Sequence, residues 1–366
     1  MDGARAVVAA VRERLASRGS VPVEEVIELG LYHPSAGLYR IDCPARGRAG
    51  HFTTCPRIDP AIGEAIAAWL VDEHELALGA PRRWHAIEVG GGDGALAQTV
   101  LGALPAKLRA GLTYHMVEQG PRAESLARER LGSKASWAAS MSDALRRARG
   151  EALVFSNELV DAFPPVALER RRGRWLETHL ALRGEQLVEV LCEPGPWATR
   201  DGPLSLLALE GVPERARAEA HPSYHRWLRS WAPLWARGAM LTIDYGGSCE
   251  ELYGRGGGGT LRAYYKSQRV DGRDGLYERL GLQDLTCDVN FTDLVAWGEG
   301  LGFETIGLWT QRDFVLGRGA VDPRPGLAFI ASAGGAGFHY RVLAQRRAVT
   351  GPGSSSPRAR RRAPCR

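Results

Sequence analysis

Three glycines at alternate positions, Gly90, Gly92 and Gly94, follow an apolar run that carries Glu88, and they enclose Asp93. Glycines so spaced let a backbone pass close to a ligand where any Cβ would collide. Two ligands suit the pattern. G-x-G-x-G through Gly90, Gly92 and Gly94 suits S-adenosylmethionine. G-x-G-x-x-A through Gly90, Gly92 and Ala95 suits a dinucleotide. A pyrophosphate would rest on the following helix N-terminus, and a carboxylate beside it would repel it. The sulfonium and ammonium groups of S-adenosylmethionine instead favour nearby carboxylates. Glu88 and Asp93 therefore tilt the loop toward S-adenosylmethionine. Glu118, 23 residues after Ala95, could accept hydrogen bonds from ribose hydroxyls in either cofactor.

A second group, Asn157, Glu158 and Asp161 in "VFSNELVDAFP", suits a reaction centre. Methyl transfer is a direct displacement, so a protein must align the nucleophile, exclude water and stabilise charge. Carboxylates could grip an arginine guanidinium through paired hydrogen bonds. A guanidinium has no readily available lone pair, so its orientation by acids matters. The same three residues also read as a helix cap and an acidic first turn.

Both groups need a scaffold that brings strand ends together. "WHAIEV", "LTYHMVE", "EALVFSNEL" and "GAMLTIDYG" read as strands, and three of them reach an acid at Glu118, Glu158 and Asp244. "GALAQTVLGAL" and "PRAESLARERL" read as helices between them. Alternating strands and helices predict a parallel sheet covered on both faces, with ligands at the strands' carboxyl ends. About 80 mostly helical residues precede the glycine loop. They include a helix over residues 4–18, a second in "VPVEEVIELGLYH", and a third starting near Asp59-Pro60. Residues 166–220 read as extra strands and a loop. The expected organisation is a helical region over 1–80, then a core over 81–348 with insertions at about 166–235 and 250–290. A basic tail over 349–366 is expected to be disordered.

Several features predict little chemistry. Trp227, Trp231 and Trp235 recur at helical spacing and read as core. His221 and His225 lack the glutamate of H-E-x-x-H and read as packing or surface histidines. Six scattered cysteines without a C-x-x-C pair signal neither zinc nor a disulfide framework, so no metal is expected. "YGRGGGGT" lacks the Lys-Ser/Thr of a P-loop and reads as a connection. The tail's five arginines, with no acid, account for the whole net charge of +5. The body carries no basic stripe, so no specific nucleic-acid partner is expected. No run approaches the length of a membrane span. The Arg-rich opening could mimic a transit helix, but acids from Asp2 onward point to the cytoplasm. Oligomeric state leaves no mark in the sequence.

The ordered motifs "EVGGGDGALAQTVL", "YHMVEQGPRAESLA", "SNELVDAFPPVALE", "LTIDYG", "GTLRAYYKSQRVDG" and "DLTCDVNFTDLVAWGEGLGF" resemble the MidA-like family. That family includes the mitochondrial complex I assembly methyltransferases. "LYHPSAGLYR", "GHFTTCPRIDPAIGEAI" and "HYRVLAQRR" extend the resemblance over about residues 20 to 348. It implies an α/β class I methyltransferase fold, Rossmann-like with a seven-stranded sheet, a helical N-terminal part and inserted segments. It also implies S-adenosyl-L-methionine as cofactor and protein arginine N-methylation as activity, with a protein as substrate. Cofactor contacts would fall on Glu88, Gly90, Gly92, Gly94 and Glu118. The substrate-facing, catalytic loop would be Asn157, Glu158 and Asp161. Arg262, Tyr264, Asp284 and Thr286 fall in the family's C-terminal motifs, at the pocket or in structural hydrogen bonds. The chain departs from the family pattern at His51 and Arg57, where acids are usual, and at Gly91 and Ser267. His51 and Arg57 keep open a catalytically weak cofactor-binding assembly factor, and the G-x-G-x-x-A pattern keeps open an NAD(P)-dependent oxidoreductase.

Overall fold

The computed structural model describes residues 2–41, 59–200, 204–266, 268–318 and 335–347, together with 327 and 330. The basic tail, His51, Arg57 and Ser267 lie outside the described residues.

Apolar runs such as Trp84–Val89, which buries Ala86 and Ile87 completely, can only be strands covered on both faces. Among the described residues, seven strands form the main path of an eight-stranded central sheet, the eighth being the two-residue strand Val289–Asn290 that pairs with the end of Gly238–Gly247. In chain order the seven are β1 (Trp84–Val89), β2 (Leu112–Val117), β3 (Ser136–Ala138), β4 (Leu153–Asn157), β5 (Gly238–Gly247), β6 (Glu304–Thr310) and β7 (Tyr340–Arg347). Their spatial order is β6-β7-β5-β4-β1-β2-β3. β7 runs antiparallel to both its neighbours, and the neighbouring pairs from β5 through to β3 are parallel. The chain moves outward from β1 to β3 on one side and restarts at β4 on the other. That reversal opens a crevice above the carboxyl ends of β1 and β4, the place where open α/β sheets bind ligands.

Helices cover both faces. One face carries Ala61–Leu76 and Ala95–Ala103, packed around Trp69, Trp84, Val100 and Phe155. Gly63 lets these two helices close, since a Cβ there would lie 2.7 Å from Thr99 Cγ2. Asp59 Oδ1 accepts the Ala61 N–H at 2.8 Å, which caps the first of them. The other face buries Trp231, Trp235 and Trp297. Trp231 and Trp235 are thus core, whereas Trp227 is half-buried and lines the cavity described below.

The segment after β4 builds a separate antiparallel sheet. Val166–Arg171 and Arg174–Arg183 form a hairpin whose turn residues, Arg172 and Gly173, both have positive φ. Gln186–Cys192, Arg217–Ala220 and Ser20–Pro22 complete it. The helices Asp2–Arg18 and Val23–Tyr32 share one apolar core with Leu180, Ala263 and Leu285. This core places the face of Val23–Tyr32 that carries Glu24, Glu28 and Tyr32 over the crevice. Among the described residues no helix is long and apolar enough to cross a membrane.

Candidate active site

Above the carboxyl ends of β1, β2, β4 and β5 lies a cavity of about 890 Å³. Ligand pockets reach roughly this size at their upper end, room for a cofactor and part of a second molecule. Glu88, Gly90, Glu118, Asn157, Glu158 and Asp161 all line it. Gly92 and Gly94 do not, and each has a physical reason to be glycine elsewhere. Gly92, at φ +56°, donates its N–H to Glu118 Oε2 at 2.8 Å. Gly94, at φ +76°, starts the helix Ala95–Ala103, and a Cβ on it would press on Ala127 and Leu131. Gly91, by contrast, does face the cavity. Its missing Cβ would lie 2.2 Å from Met116 Cε and 3.1 Å from the Glu88 carboxyl.

The two acids that favoured S-adenosylmethionine differ in the structure. Glu88 is buried beneath the loop, where Tyr114 donates its hydroxyl at 2.6 Å. Asp93 is paired with Arg130 at 3.1 Å and accepts the Ala95 N–H, so its charge is largely compensated. The weight placed on Asp93 therefore falls on Glu88 instead. Glu118 ties two loops together, taking the Gly92 and Gly120 N–H groups at 2.8 Å each. A carboxylate has four lone-pair directions, so two remain for ribose hydroxyls.

The turn after β4 is held from below. Glu158 has φ +52°, a left-handed conformation rare outside glycine and costing about 1–3 kcal/mol. Its own N–H donates to Ile243 O at 2.9 Å. The next three N–H groups, of Leu159, Val160 and Asp161, all donate to Asp244 Oδ2 at 2.8–3.2 Å. Asp244 is fully buried at the end of β5 and does not itself line the cavity. Burial, with Asp161 and Glu158 nearby, pushes its carboxyl well above the usual range. Asn157 Nδ2 donates to Glu158 Oε1 at 3.1 Å.

Asp161 is the most constrained of the three catalytic candidates. Its Oδ2 accepts the Tyr245 hydroxyl and, at 3.1 Å, the Thr286 hydroxyl. Its Oδ1 is buried with no protein partner, as is Asn157 Oδ1. Burial raises the Asp161 carboxyl, opposed by these hydrogen bonds and by Arg262. Arg262 lies over the Tyr245 ring at 4.7 Å and is held by Asp288 at 2.7 Å. Asp284 accepts the Tyr39 hydroxyl at 2.7 Å, and burial lifts its carboxyl to about 6.

That shift has a sign. A carboxyl raised in the folded state adds stability below its unfolded value and loses it as pH rises through about 6. The loss is about 3 kcal/mol at about 1.4 kcal/mol per unit. Asp284→Asn is expected to flatten the urea-midpoint profile between about pH 4 and 7. An unchanged slope would place the proton elsewhere.

Among the described residues, eight carboxylate side chains and three arginines line the cavity. Arg40 is bonded to Gln119 O, Arg226 to Glu24 and Arg262 to Asp288, so the interior is net acidic. Glu24, Glu28, Tyr32, Tyr39 and Tyr245 were not singled out in the sequence. Glu24, Glu28 and Tyr32 follow i, i+4, i+8 spacing, a signal that one helix face was polar but not that it faced a ligand. No group of three or more His, Cys, Asp or Glu among the described residues could hold a metal ion. His221 and His225 are buried. His221 lies 3.3 Å from Cys287 Sγ, and His225 stacks on Trp297.

The cradle fits S-adenosylmethionine. It offers a turn whose Gly90 and Gly91 line the cavity, an anchored acid in Glu118 with acceptor directions to spare, and further carboxylates that a sulfonium and an ammonium favour. Comparison with known proteins agrees. Residues 65–309 match the family model described as "Putative S-adenosyl-L-methionine-dependent methyltransferase". The chain is 30% identical over 309 residues to the protein arginine methyltransferase NDUFAF7 homolog, mitochondrial, of Drosophila melanogaster, covering 77% of this chain and 67% of that one. It also superimposes on a "likely methyl transferase" from Burkholderia thailandensis bound to S-adenosyl-homocysteine, with a TM-score of 0.80 and 25% identity over 96% and 94% of the two chains. A second Burkholderia thailandensis crystal structure shares the fold at a TM-score of 0.77 and 24% identity over the same shares.

Proposed function

The chain belongs to this family of S-adenosyl-L-methionine-dependent methyltransferases, and from that premise we propose that it methylates an arginine side chain of a protein. With the family goes the cofactor, and the dinucleotide reading of the glycine loop falls away. The bound cofactor supplies an electrophilic methyl group on a sulfonium. Glu88, the Gly90–Gly94 turn and Glu118 are the residues proposed to hold it.

One observation carries the arginine reading. Asp161 lines a cavity where acids outnumber arginines eight to three, and its Oδ1 is buried with no protein partner. An arginine is a cation before transfer and, once methylated, a cation after it. One N–H proton must therefore leave the guanidinium as its nitrogen bonds to the methyl group. Asp161 Oδ1 is the acceptor we assign to that proton. Glu158 and Asn157 orient the guanidinium beside it, and the aromatic wall of Phe163 and Trp227 excludes water. The Drosophila relative's name points the same way.

The test is transfer of radiolabelled methyl from S-adenosylmethionine into the proteins of a cell extract, with the labelled residue identified after hydrolysis. Methylarginine is expected, and it should be lost with Glu158→Ala. Label on another residue or on a small molecule overturns the arginine reading. Cofactor binding without any label would favour the assembly-factor reading.

A further inference from the structure

At the rim of the cavity the protein already holds a guanidinium. Arg226, on the helix Pro222–Trp231, pairs with Glu24, on the helix Val23–Tyr32. Both residues line the cavity, as do Glu28, one helical turn beyond Glu24, and Trp227, beside Arg226. Glu24 is mostly buried, with 15% of its side chain exposed, whereas the Arg226 side chain is 46% exposed. Burial and the nearby Glu177 and Glu28 raise the Glu24 carboxyl, and Arg226 opposes them. An acid placed this way, with a second acid a turn away, favours a cation, and the one it has comes from the protein itself.

We propose that Glu24 and Glu28 form the entrance subsite for the substrate's guanidinium, with Arg226 as a built-in stand-in that an incoming arginine displaces. The inference rests on the arginine reading above and adds residues outside the Asn157–Asp161 turn. A planar guanidinium released from water at this rim meets carboxylates on one wall and the Trp227 ring on the other, both of which it favours. A lysine or a neutral side chain gains less, because it cannot make the forked contact. The rim then selects arginine before the side chain reaches Asp161.

The experiment is equilibrium binding of Nα-acetyl-arginine amide, measured by calorimetry with S-adenosyl-homocysteine present. Nα-acetyl-citrulline amide serves as the neutral isostere. The wild-type protein should discriminate between them. Arg226→Ala should tighten the arginine amide about three- to fivefold, the worth of one partly exposed ion pair. Arg226→Lys should restore part of the competition. Glu24→Gln should weaken binding about tenfold, and the double variant should match Glu24→Gln, since Arg226 acts through Glu24. A purely structural ion pair predicts otherwise: a lower urea midpoint for Arg226→Ala with no tightening. That result, or equal behaviour of the arginine and citrulline amides, overturns the inference. Failure of the arginine reading is seen separately, in which residue carries the methyl label.

Discussion

Asp161→Asn is expected to lower turnover by about two to four orders of magnitude, the usual worth of a positioned acid–base group. Cofactor affinity should change little. The substitution preserves shape. An amide oxygen can still accept from Tyr245 and Thr286, as Oδ2 does now. The amide nitrogen then occupies the place of Oδ1, the atom with no protein partner. It turns an acceptor into a donor where the reaction needs a proton taken up. The pH dependence follows from the raised carboxyl. A base must be ionised, so wild-type turnover should fall as pH drops through a value above the ordinary carboxylate range. That limb should vanish in the variant. Single-turnover rates and calorimetric binding of S-adenosyl-homocysteine separate the two effects. Turnover within about fivefold of wild type would remove Asp161 from the proton step.

The sheet was legible in the sequence because β1, β2, β4 and β5 are apolar runs too polar at their ends to continue, and each stop lies at the same end of the sheet. Glu118, Glu158 and Asp244 therefore stand together in space while lying up to 126 residues apart in the chain. What each acid does was not legible. Asp244 reads as one more strand-end acid, but its oxygen is spent on three backbone N–H groups. Asp93 reads as a loop acid, but Arg130, which compensates it, comes from a helix across the turn. The glycine pattern identified the turn without sorting its members. Gly94 is needed for helix packing, and Gly91, a departure from the family pattern, lines the cavity beside Gly90. Glu24 and Glu28 were hidden for a plainer reason. An i, i+4 acid pair on a helix normally marks a solvated face, and only the tertiary packing of that helix turns it toward the cavity.

Asp244→Ala should abolish turnover even though Asp244 lines no part of the cavity. Four backbone N–H groups donate to it: Leu159, Val160 and Asp161 to Oδ2, and Tyr245 to Oδ1 at 3.0 Å. Alanine leaves all four without an acceptor in a place where the side chain they bonded was fully buried. An orphaned buried donor costs about 1–3 kcal/mol, and some of the four will find other partners, so a loss of about 3 kcal/mol in stability is expected. Relief of a buried carboxylate offsets part of it, since burial already disfavours the charged form. The larger effect is on geometry. The pinned N–H groups that follow Glu158, with its own N–H on Ile243 O, hold it at φ +52°. Released, the turn relaxes, and Asn157, Glu158 and Asp161 lose their common orientation. Asp244→Asn separates the two roles. It keeps an oxygen for the three Oδ2 bonds but meets the Tyr245 N–H with a donor. Its stability should fall by one hydrogen bond, about 1 kcal/mol, with most of the turnover kept. If the alanine variant still turns over at the rate of the asparagine variant, Asp244 does not hold the turn, and the strain at Glu158 must be carried by the chain on either side.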